Sequence, residues 1–244
     1  DFFDKYKLKG DFLEYYRSQL RKHDQKWEFV YLHFKNFVHG KCTFEEIDID
    51  LCNKFREYLL NVKKLRRNGR ISQNSASGYW STFRGFLKIL YRNGLIKTNV
   101  NDFLDKIGTE DVVKDYLSVE ELYKLAETPC KKPILKTASL FSCMTSLRIS
   151  DILALRWEDI VDYSAGGKCV HIITQKNKAE DIIPISDEAL ELIGYKPEKK
   201  GLVFKGLMRC WTQTPMKEWI HSAGINKNIT FHSYRRTFAT LQGA

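Results

Sequence analysis

The sequence predicts a mainly α-helical protein with a small β-sheet, divided into two domains. Its first half repeats apolar residues at helical spacing. Its second half contains two short β-branched runs, residues 169–174 and 180–186, and the polar turn between them predicts a β-hairpin. A segment without either periodicity separates the two halves. We therefore expect a helical domain over residues 1–108, a linker over 109–116 and a mixed α/β domain over 117–244.

The first domain is predicted to consist of helices joined by short loops. Residues 26–38 and 44–60 both repeat apolar residues on one helical face, as core-facing helices do. In the first of these helices the face consists of Trp27, Val30, Tyr31, Phe34, Phe37 and Val38. Residues 63–74 are basic and polar, so we interpret them as a loop.

The helix predicted over residues 75–94 has two different faces. One is apolar and consists of Phe83, Phe86, Leu87 and Leu90. The other begins with hydroxyl groups and continues with cations, at Ser77, Ser81, Arg84, Lys88 and Arg92. A polar stripe of this kind is often only a solvated face. The positive charge of the domain favours instead a surface that binds the phosphates of DNA.

The charge of the chain supports this interpretation. The net charge is +10, and residues 1–108 hold 21 lysines and arginines against 13 acidic residues, whereas residues 109–244 hold 19 against 17. Such an excess favours nucleic acid or an anionic membrane surface as the partner. No apolar run is long enough to cross a bilayer, and no signal peptide opens the chain. The charge therefore favours nucleic acid as the partner, and we predict a cytoplasmic protein.

The second domain is predicted to begin and end with helices. Ser118 can cap its first helix, and Glu121 follows three residues later, which is the pattern of a capping box. An apolar stretch over residues 133–145 and the segment around 206–222 are expected to be helical. The last helix is expected to start near His232.

Cofactor sites are not indicated. The six cysteines are scattered, without the spacing of a zinc site, and we interpret them as reduced thiols. No carboxylate cluster at ligand spacing is found in the sequence, which disfavours a metal-dependent nuclease. The prediction is therefore a protein without a metal or another cofactor.

Four basic residues of the second domain form the candidate catalytic set. Arg148 lies at a predicted helix start, Lys176 at the tip of the hairpin, and His232 and Arg235 on one face of the last helix. Two arginines can clamp a phosphate through forked hydrogen bonds and stabilise a five-coordinate transition state. A lysine or histidine can move protons to and from the attacking and leaving oxygens. The set can therefore activate a phosphodiester without a metal.

These residues lie in segments that resemble the motifs of the tyrosine recombinase (phage integrase) family. Residues 145–152, TSLRISDI, resemble the motif of the family's first arginine, and Lys176 stands where the family has its hairpin lysine. Residues 232–240, HSYRRTFAT, resemble its H-x-L-R-[HR]-T-F-A-T box. The style of the last box is most similar to integrases of Bacteroides-type mobile elements. Two departures are Ser146 in place of glycine and Tyr234 in place of an apolar residue.

The resemblance implies a helical core-binding domain and a mixed α/β catalytic domain that form a clamp around duplex DNA. It implies that Arg148 and Arg235 stabilise the phosphorane and that Lys176 protonates the leaving oxygen. His232 would bind the phosphate and help to deprotonate the nucleophile, and Asp151 would support the site. Arg236 joins the predicted DNA-binding residues. Assembly into a tetramer on DNA is also expected.

The family's nucleophilic tyrosine follows the H-x-x-R box, and here no tyrosine follows Tyr234. Because the family keeps that position for packing, we do not expect Tyr234 to be the nucleophile. We expect a fragment of a longer protein, which binds DNA without forming a covalent complex. Two alternatives stay open: a non-catalytic DNA-binding regulator built on the same scaffold, and a type IB topoisomerase.

Overall fold

The computed structural model describes residues 10–65, 68–174 and 178–242. The chain forms two compact units, Asp1–Val112 and Val113–Ala244. The fold is mainly helical with one small sheet, which confirms the predicted fold class.

The described residues of the first unit form α-helices and 3₁₀ turns joined by loops. Its helices are α1 (Phe12–Gln19), α2 (Gln25–Phe37), α3 (Ile49–Asn61) and α4 (Gln73–Arg92), with 3₁₀ turns at Leu20–Lys22 and Val100–Phe103. Helix α4 begins two residues before the predicted start, because the Ser72 hydroxyl accepts a hydrogen bond from the Ser75 N–H at 3.2 Å and caps the helix.

An aromatic core holds the first unit together. The Phe34 ring lies 4.9 Å from both Phe55 and Phe83, and all three side chains are fully buried. The apolar face predicted for α4 is confirmed, since its four residues are fully buried. The opposite face of α4 is thereby directed away from the core.

The second unit places a three-stranded antiparallel sheet among helices. Its helices are α5 (Val119–Glu127), α6 (Pro133–Thr145), α7 (Ile149–Ala154), α8 (Asp187–Ile193), α9 (Thr214–Ser222) and α10 (Phe231–Gln242). Its strands are β1 (Ile160–Asp162), β2 (Lys168–Ile173) and β3 (Glu180–Ile185), in the order β1-β2-β3. Short 3₁₀ turns lie at Trp157–Asp159 and Arg209–Thr212.

The predicted hairpin corresponds to β2 and β3, in which Val170 pairs with Ile183. Strand β1 was not predicted, because three residues are too few to show an alternating pattern. The capping box is confirmed: the Ser118 hydroxyl accepts from the Glu121 N–H at 3.2 Å, and the Glu121 carboxylate accepts from the Ser118 N–H at 2.8 Å.

Helix α6 is the centre of the second unit and packs against α10, α8 and β3. It ends at Ser146, whose backbone adopts the left-handed conformation with φ of 57°. This reversal turns the chain into α7, so that Arg148 occupies the N-cap of that helix. The end of α6 thus fixes where the Arg148 side chain starts.

Candidate active site

Three of the predicted catalytic residues lie together in the second unit. Arg148, His232 and Arg235 line one cavity of about 290 Å³. Arg148 reaches it from the start of α7, and the other two residues reach it from the first two turns of α10. Ile149, Ser150, Arg209 and Phe231 complete the lining. The cavity is therefore rich in positive charge and has partly apolar walls.

A buried carboxylate lies beneath Arg148. Asp151 is 3% exposed, and its Oδ2 atom lies 3.9 Å from Nη1 of Arg148 one turn earlier in the chain. A buried carboxylate is costly unless a cation compensates its charge. Asp151 and the arginine therefore stabilise each other, and the carboxylate can hold the guanidinium in place for a ligand.

Arg235 is half-buried and lies in the electrostatic field of its neighbours. Burial lowers the pKa of Arg235 and Arg148 lowers it further, whereas Asp151 and Asp181 raise it. A guanidinium stays protonated in proteins despite such shifts. The two arginines therefore repel each other, and an anion between them would relieve this repulsion.

His232 is exposed beside these cations. Burial of the ring lowers the pKa of His232, and nearby positive charges lower it further, the largest contribution coming from Arg236. The others come from Arg235, Lys114 and Arg148. The imidazole is therefore neutral at neutral pH and can accept a proton from a nucleophile.

Tyr234 is part of the core. Its side chain is fully buried, its ring lies 5.2 Å from Phe231 in an edge-on arrangement, and burial raises its pKa. A phenol in this position can neither reach a phosphate nor ionise readily. Its place agrees with the packing function expected from the sequence.

Lys176 lies outside the described residues. The structure does describe the strands that lead to it. The hairpin is closed by a hydrogen bond of 2.8 Å from the Thr174 N–H to the Ala179 carbonyl.

The polar face of α4 lies in the first unit. Ser77, Ser81, Arg84 and Lys88 line a hollow of about 410 Å³, which Lys106 also lines. Arg92 is exposed and does not line the hollow. Lys106 was missed, because it follows the 3₁₀ turn and no periodic pattern in the sequence includes it.

Two members of this face also hold the unit together. The Ser77 hydroxyl donates to the Ile107 carbonyl at 2.8 Å. Arg84 donates from Nε to the Asn101 side-chain oxygen at 3.1 Å and from Nη2 to the Asn101 carbonyl at 3.0 Å. Lys88 has no such bond among the residues that the structure describes. Arg84 is thus partly occupied by the protein, and Lys88 is the freer cation.

Arg236 does not line the cavity. Its Nη1 atom donates to the Asp115 carbonyl at 3.3 Å, and its side chain is half-buried. It therefore packs against the start of the second unit, although the sequence placed it in the DNA-binding set.

Over residues 10–65, 68–174 and 178–242, no group of three or more histidine, cysteine or acidic residues could hold a metal ion. Within the same ranges, every helix is too short or too polar to span a bilayer.

Comparison with known proteins identifies the family. Residues 115–241 match the family described as "Phage integrase family", and residues 10–106 match the "Phage integrase SAM-like domain". These matches cover most of the chain, so the protein belongs to the phage integrase family.

The curated relatives of the chain are bacterial proteins named tyrosine recombinases. Tyrosine recombinase XerD of Lacticaseibacillus casei is 27% identical over 191 residues, which are 68% of this chain and 62% of that protein. A tyrosine recombinase of Pseudothermotoga lettingae is 26% identical over 213 residues, or 82% of this chain and 72% of that protein. The chain thus spans less than two thirds of the length of the L. casei protein.

Solved structures share the fold. A lambda integrase dimer bound to a COC' core site has a TM-score of 0.65 at 17% identity, covering 96% of this chain and 70% of that chain. The Tn1549 transposon integrase in complex with circular intermediate DNA has a TM-score of 0.65 at 15% identity, covering 95% and 86%. These likenesses establish the integrase fold.

Proposed function

We propose that the chain is the DNA-binding and phosphate-activating part of a site-specific recombinase. The complete enzyme would cleave and rejoin double-stranded DNA through a 3′-phosphotyrosyl intermediate. The observation that carries this proposal is the meeting of Arg148, His232 and Arg235 in one cavity, although the chain brings them from two separate helices. Membership of the phage integrase family and the tyrosine recombinase relatives support it.

Each residue has a proposed role in the transfer. A tyrosine oxygen attacks the scissile phosphorus, and the bond to the 5′ oxygen breaks. Arg148 and Arg235 stabilise the added negative charge of the five-coordinate phosphorane. Neutral His232 helps to remove the proton from the tyrosine, and Lys176 donates a proton to the departing 5′ oxygen. Asp151 keeps Arg148 oriented, and no cofactor is needed.

The nucleophile in this proposal is a tyrosine outside the 244 residues. Tyr234 is fully buried, and no tyrosine follows it in the sequence. We also propose that residues 1–108 form the core-binding domain, 109–116 a linker and 117–244 the catalytic domain. A Bacteroides-type mobile element is the proposed source, a proposal that rests on the resemblance of residues 233–242, SYRRTFATLQ, to integrases of that type.

The partner in this proposal is duplex DNA, held by the polar face of α4 as well as by the cavity. Lambda integrase has been crystallised as a tetramer bound to a Holliday junction, in a structure with a TM-score of 0.62 at 20% identity over 94% of this chain and 71% of that chain. We propose that the complete enzyme assembles in the same way, in the cytoplasm of its bacterial host.

The test begins with the chain itself. Its affinity for a 30-bp duplex, followed by fluorescence anisotropy between about 50 and 200 mM salt, should fall steeply, by 10³ or more if six or more phosphates are bound. Weak binding that is insensitive to salt would overturn the proposal. A nicked suicide duplex should leave no covalent adduct on a denaturing gel, and a tyrosine-linked adduct would show that the nucleophile was misassigned.

Assays of the protein encoded by the complete reading frame then distinguish the possible functions. Exchange of two marked DNA sites would support a recombinase. Relaxation of a supercoiled plasmid without exchange would indicate a type IB topoisomerase, and binding without cleavage would indicate a regulator.

A further inference from the structure

Arg209 is a third arginine of the cavity, and neither the motifs of the sequence nor the proposed reaction uses it. It begins the 3₁₀ turn Arg209–Thr212 and lines the same cavity as Arg148 and Arg235. Arg209 is exposed, whereas the Arg148 side chain is 29% exposed and Arg235 is half-buried. Two arginines therefore lie deeper in the cavity wall, and Arg209 lies nearer to solvent.

The backbone of Arg209 is held in place by the 3₁₀ turn that it begins. The Thr212 hydroxyl donates to the Arg209 carbonyl at 2.8 Å, and the Trp211 N–H donates to the Met208 carbonyl at 3.0 Å. The Lys132 ammonium group lies 4.8 Å from the centre of the Trp211 ring, which adds a cation–π contact to the turn. Within the described part of the chain, the Arg209 guanidinium forms no hydrogen bond or ion pair.

The carboxylates near the cavity lie beside the two deeper arginines. Asp151 is 3.9 Å from Arg148, and Asp151 and Asp181 both raise the pKa of Arg235. Arg209 forms no ion pair within the described residues, so its charge is not compensated there by a carboxylate. One phosphodiester carries one negative charge and would be held by Arg148 and Arg235, and a second phosphate of the same strand would neutralise Arg209. The cavity is thus suited to a continuous nucleic acid backbone better than to an isolated phosphate.

We propose that Arg209 binds the phosphate next to the one that Arg148 and Arg235 hold, and so sets the register of the DNA strand in the cavity. Phosphate contacts of this kind position a protein on DNA without reading its sequence. The inference rests on the proposed function, because it assumes that the cavity receives a DNA strand. Arg209 is accordingly a substrate-positioning residue, outside the set that performs the transfer.

The decisive experiment compares two matched charge deletions in the 244-residue chain. Arg209→Gln removes the charge and keeps a polar side chain, and Lys205→Ala removes a charge from an exposed residue four positions earlier that does not line the cavity. Affinity for a 30-bp duplex is measured over a range of salt concentrations. One lost phosphate contact lowers the salt slope by about 0.9, and at 0.1 M salt this corresponds to roughly eightfold weaker binding. We expect this change for Arg209→Gln and not for Lys205→Ala.

A second measurement places the contact. Arginine modification by phenylglyoxal, read by mass spectrometry, should be suppressed by the duplex at both Arg209 and Arg235. Arg156, which pairs with Glu158 outside the cavity, serves as the control and should be modified as before. If Arg209 is modified equally with and without DNA, or if Arg209→Gln and Lys205→Ala bind alike, the inference is overturned.

The two failures are distinguishable. If the unaltered chain binds the duplex with steep salt dependence and Arg209→Gln binds it equally well, only the role of Arg209 is overturned. If the unaltered chain does not bind the duplex, the proposed function fails, and the inference fails with it. Unchanged melting temperatures for both variants would exclude misfolding as the cause of weaker binding, and the exposure of both side chains makes this the expected result.

Discussion

Thr237 accepts a hydrogen bond at 3.0 Å from the backbone N–H of Leu117, a residue 120 positions earlier in the chain. Both residues are buried. The bond attaches the segment before α5 to the helix that carries His232 and Arg235. Asp115 reinforces the attachment, because its carboxylate accepts from the Asn228 N–H at 2.8 Å. The position of the H-x-x-R helix thus depends on the first residues of the second unit.

Thr237→Val should therefore destabilise the second unit by about 1–3 kcal/mol, because the variant leaves the buried Leu117 N–H without its partner. Thr240→Val is the matched control: Thr240 lies one turn later on α10, is exposed, and donates its hydroxyl to the Arg236 carbonyl. Urea denaturation measures both free energies of unfolding. Equal free energies of unfolding for the two variants would show that the hydrogen bond between Leu117 and Thr237 does not stabilise the second unit.

Arg84→Ala and Lys88→Ala should differ in their effect on stability, although both residues line the hollow on α4. Arg84→Ala removes two hydrogen bonds to Asn101, so we expect a loss of about 1 kcal/mol of stability as well as weaker DNA binding. Lys88→Ala should leave the stability unchanged and lower the salt slope of binding by about 0.9. Thermal melts and salt titrations of both variants provide the comparison. If both variants bind DNA normally, the polar face of α4 is only a solvated surface and does not contact DNA.

The sequence predicted the faces of the helices but could not predict all partners of the side chains. Local periodicity determines which side of α4 is buried, and the capping box at Ser118 spans only four residues. Asn101, the partner of Arg84, lies 17 residues away in the sequence. The position of Arg209 in the cavity depends on how the 3₁₀ turn Arg209–Thr212 packs in the second unit. Such positions follow from tertiary structure, so no short pattern could reveal them.

Ser146→Gly should stabilise the second unit. Ser146 has a φ of 57°, and a left-handed residue with a side chain costs roughly 1–2 kcal/mol relative to one in an ordinary conformation. Glycine avoids this cost, although it loses more entropy on folding, so we expect a net gain of about 1 kcal/mol. The same change at Ser75, inside α4, should destabilise the first unit by about 0.5–1 kcal/mol. Denaturation of the two variants tests the opposite signs.

DNA binding should raise the pKa of His232. In the free protein, burial and the neighbouring cations lower it, so the folded state binds this proton less readily than the unfolded chain. Stability should accordingly decrease as the pH falls through the ordinary range of histidine, near about 6.5. A phosphate in the cavity reverses the electrostatic contribution and favours the imidazolium. Proton NMR titration, with His232→Gln to assign the signal, should show an upward shift on adding a duplex, and an unchanged or lower pKa would contradict the placement of the phosphate.

Lys176 and Arg148 should be separable in the complete enzyme. Removing Arg148 takes away one charge-assisted contact to the phosphorane, and losing one such donor typically lowers the rate by about 10²–10³. Lys176→Ala should instead slow departure of the 5′ oxygen, because a poor leaving group needs a proton. A substrate with sulfur at the 5′ bridging position leaves without that proton. Cleavage of this substrate should therefore be restored in Lys176→Ala and remain slow in Arg148→Ala. Equal rescue of the two variants, or rescue of neither, would make Lys176 a phosphate contact and remove it from the role of general acid.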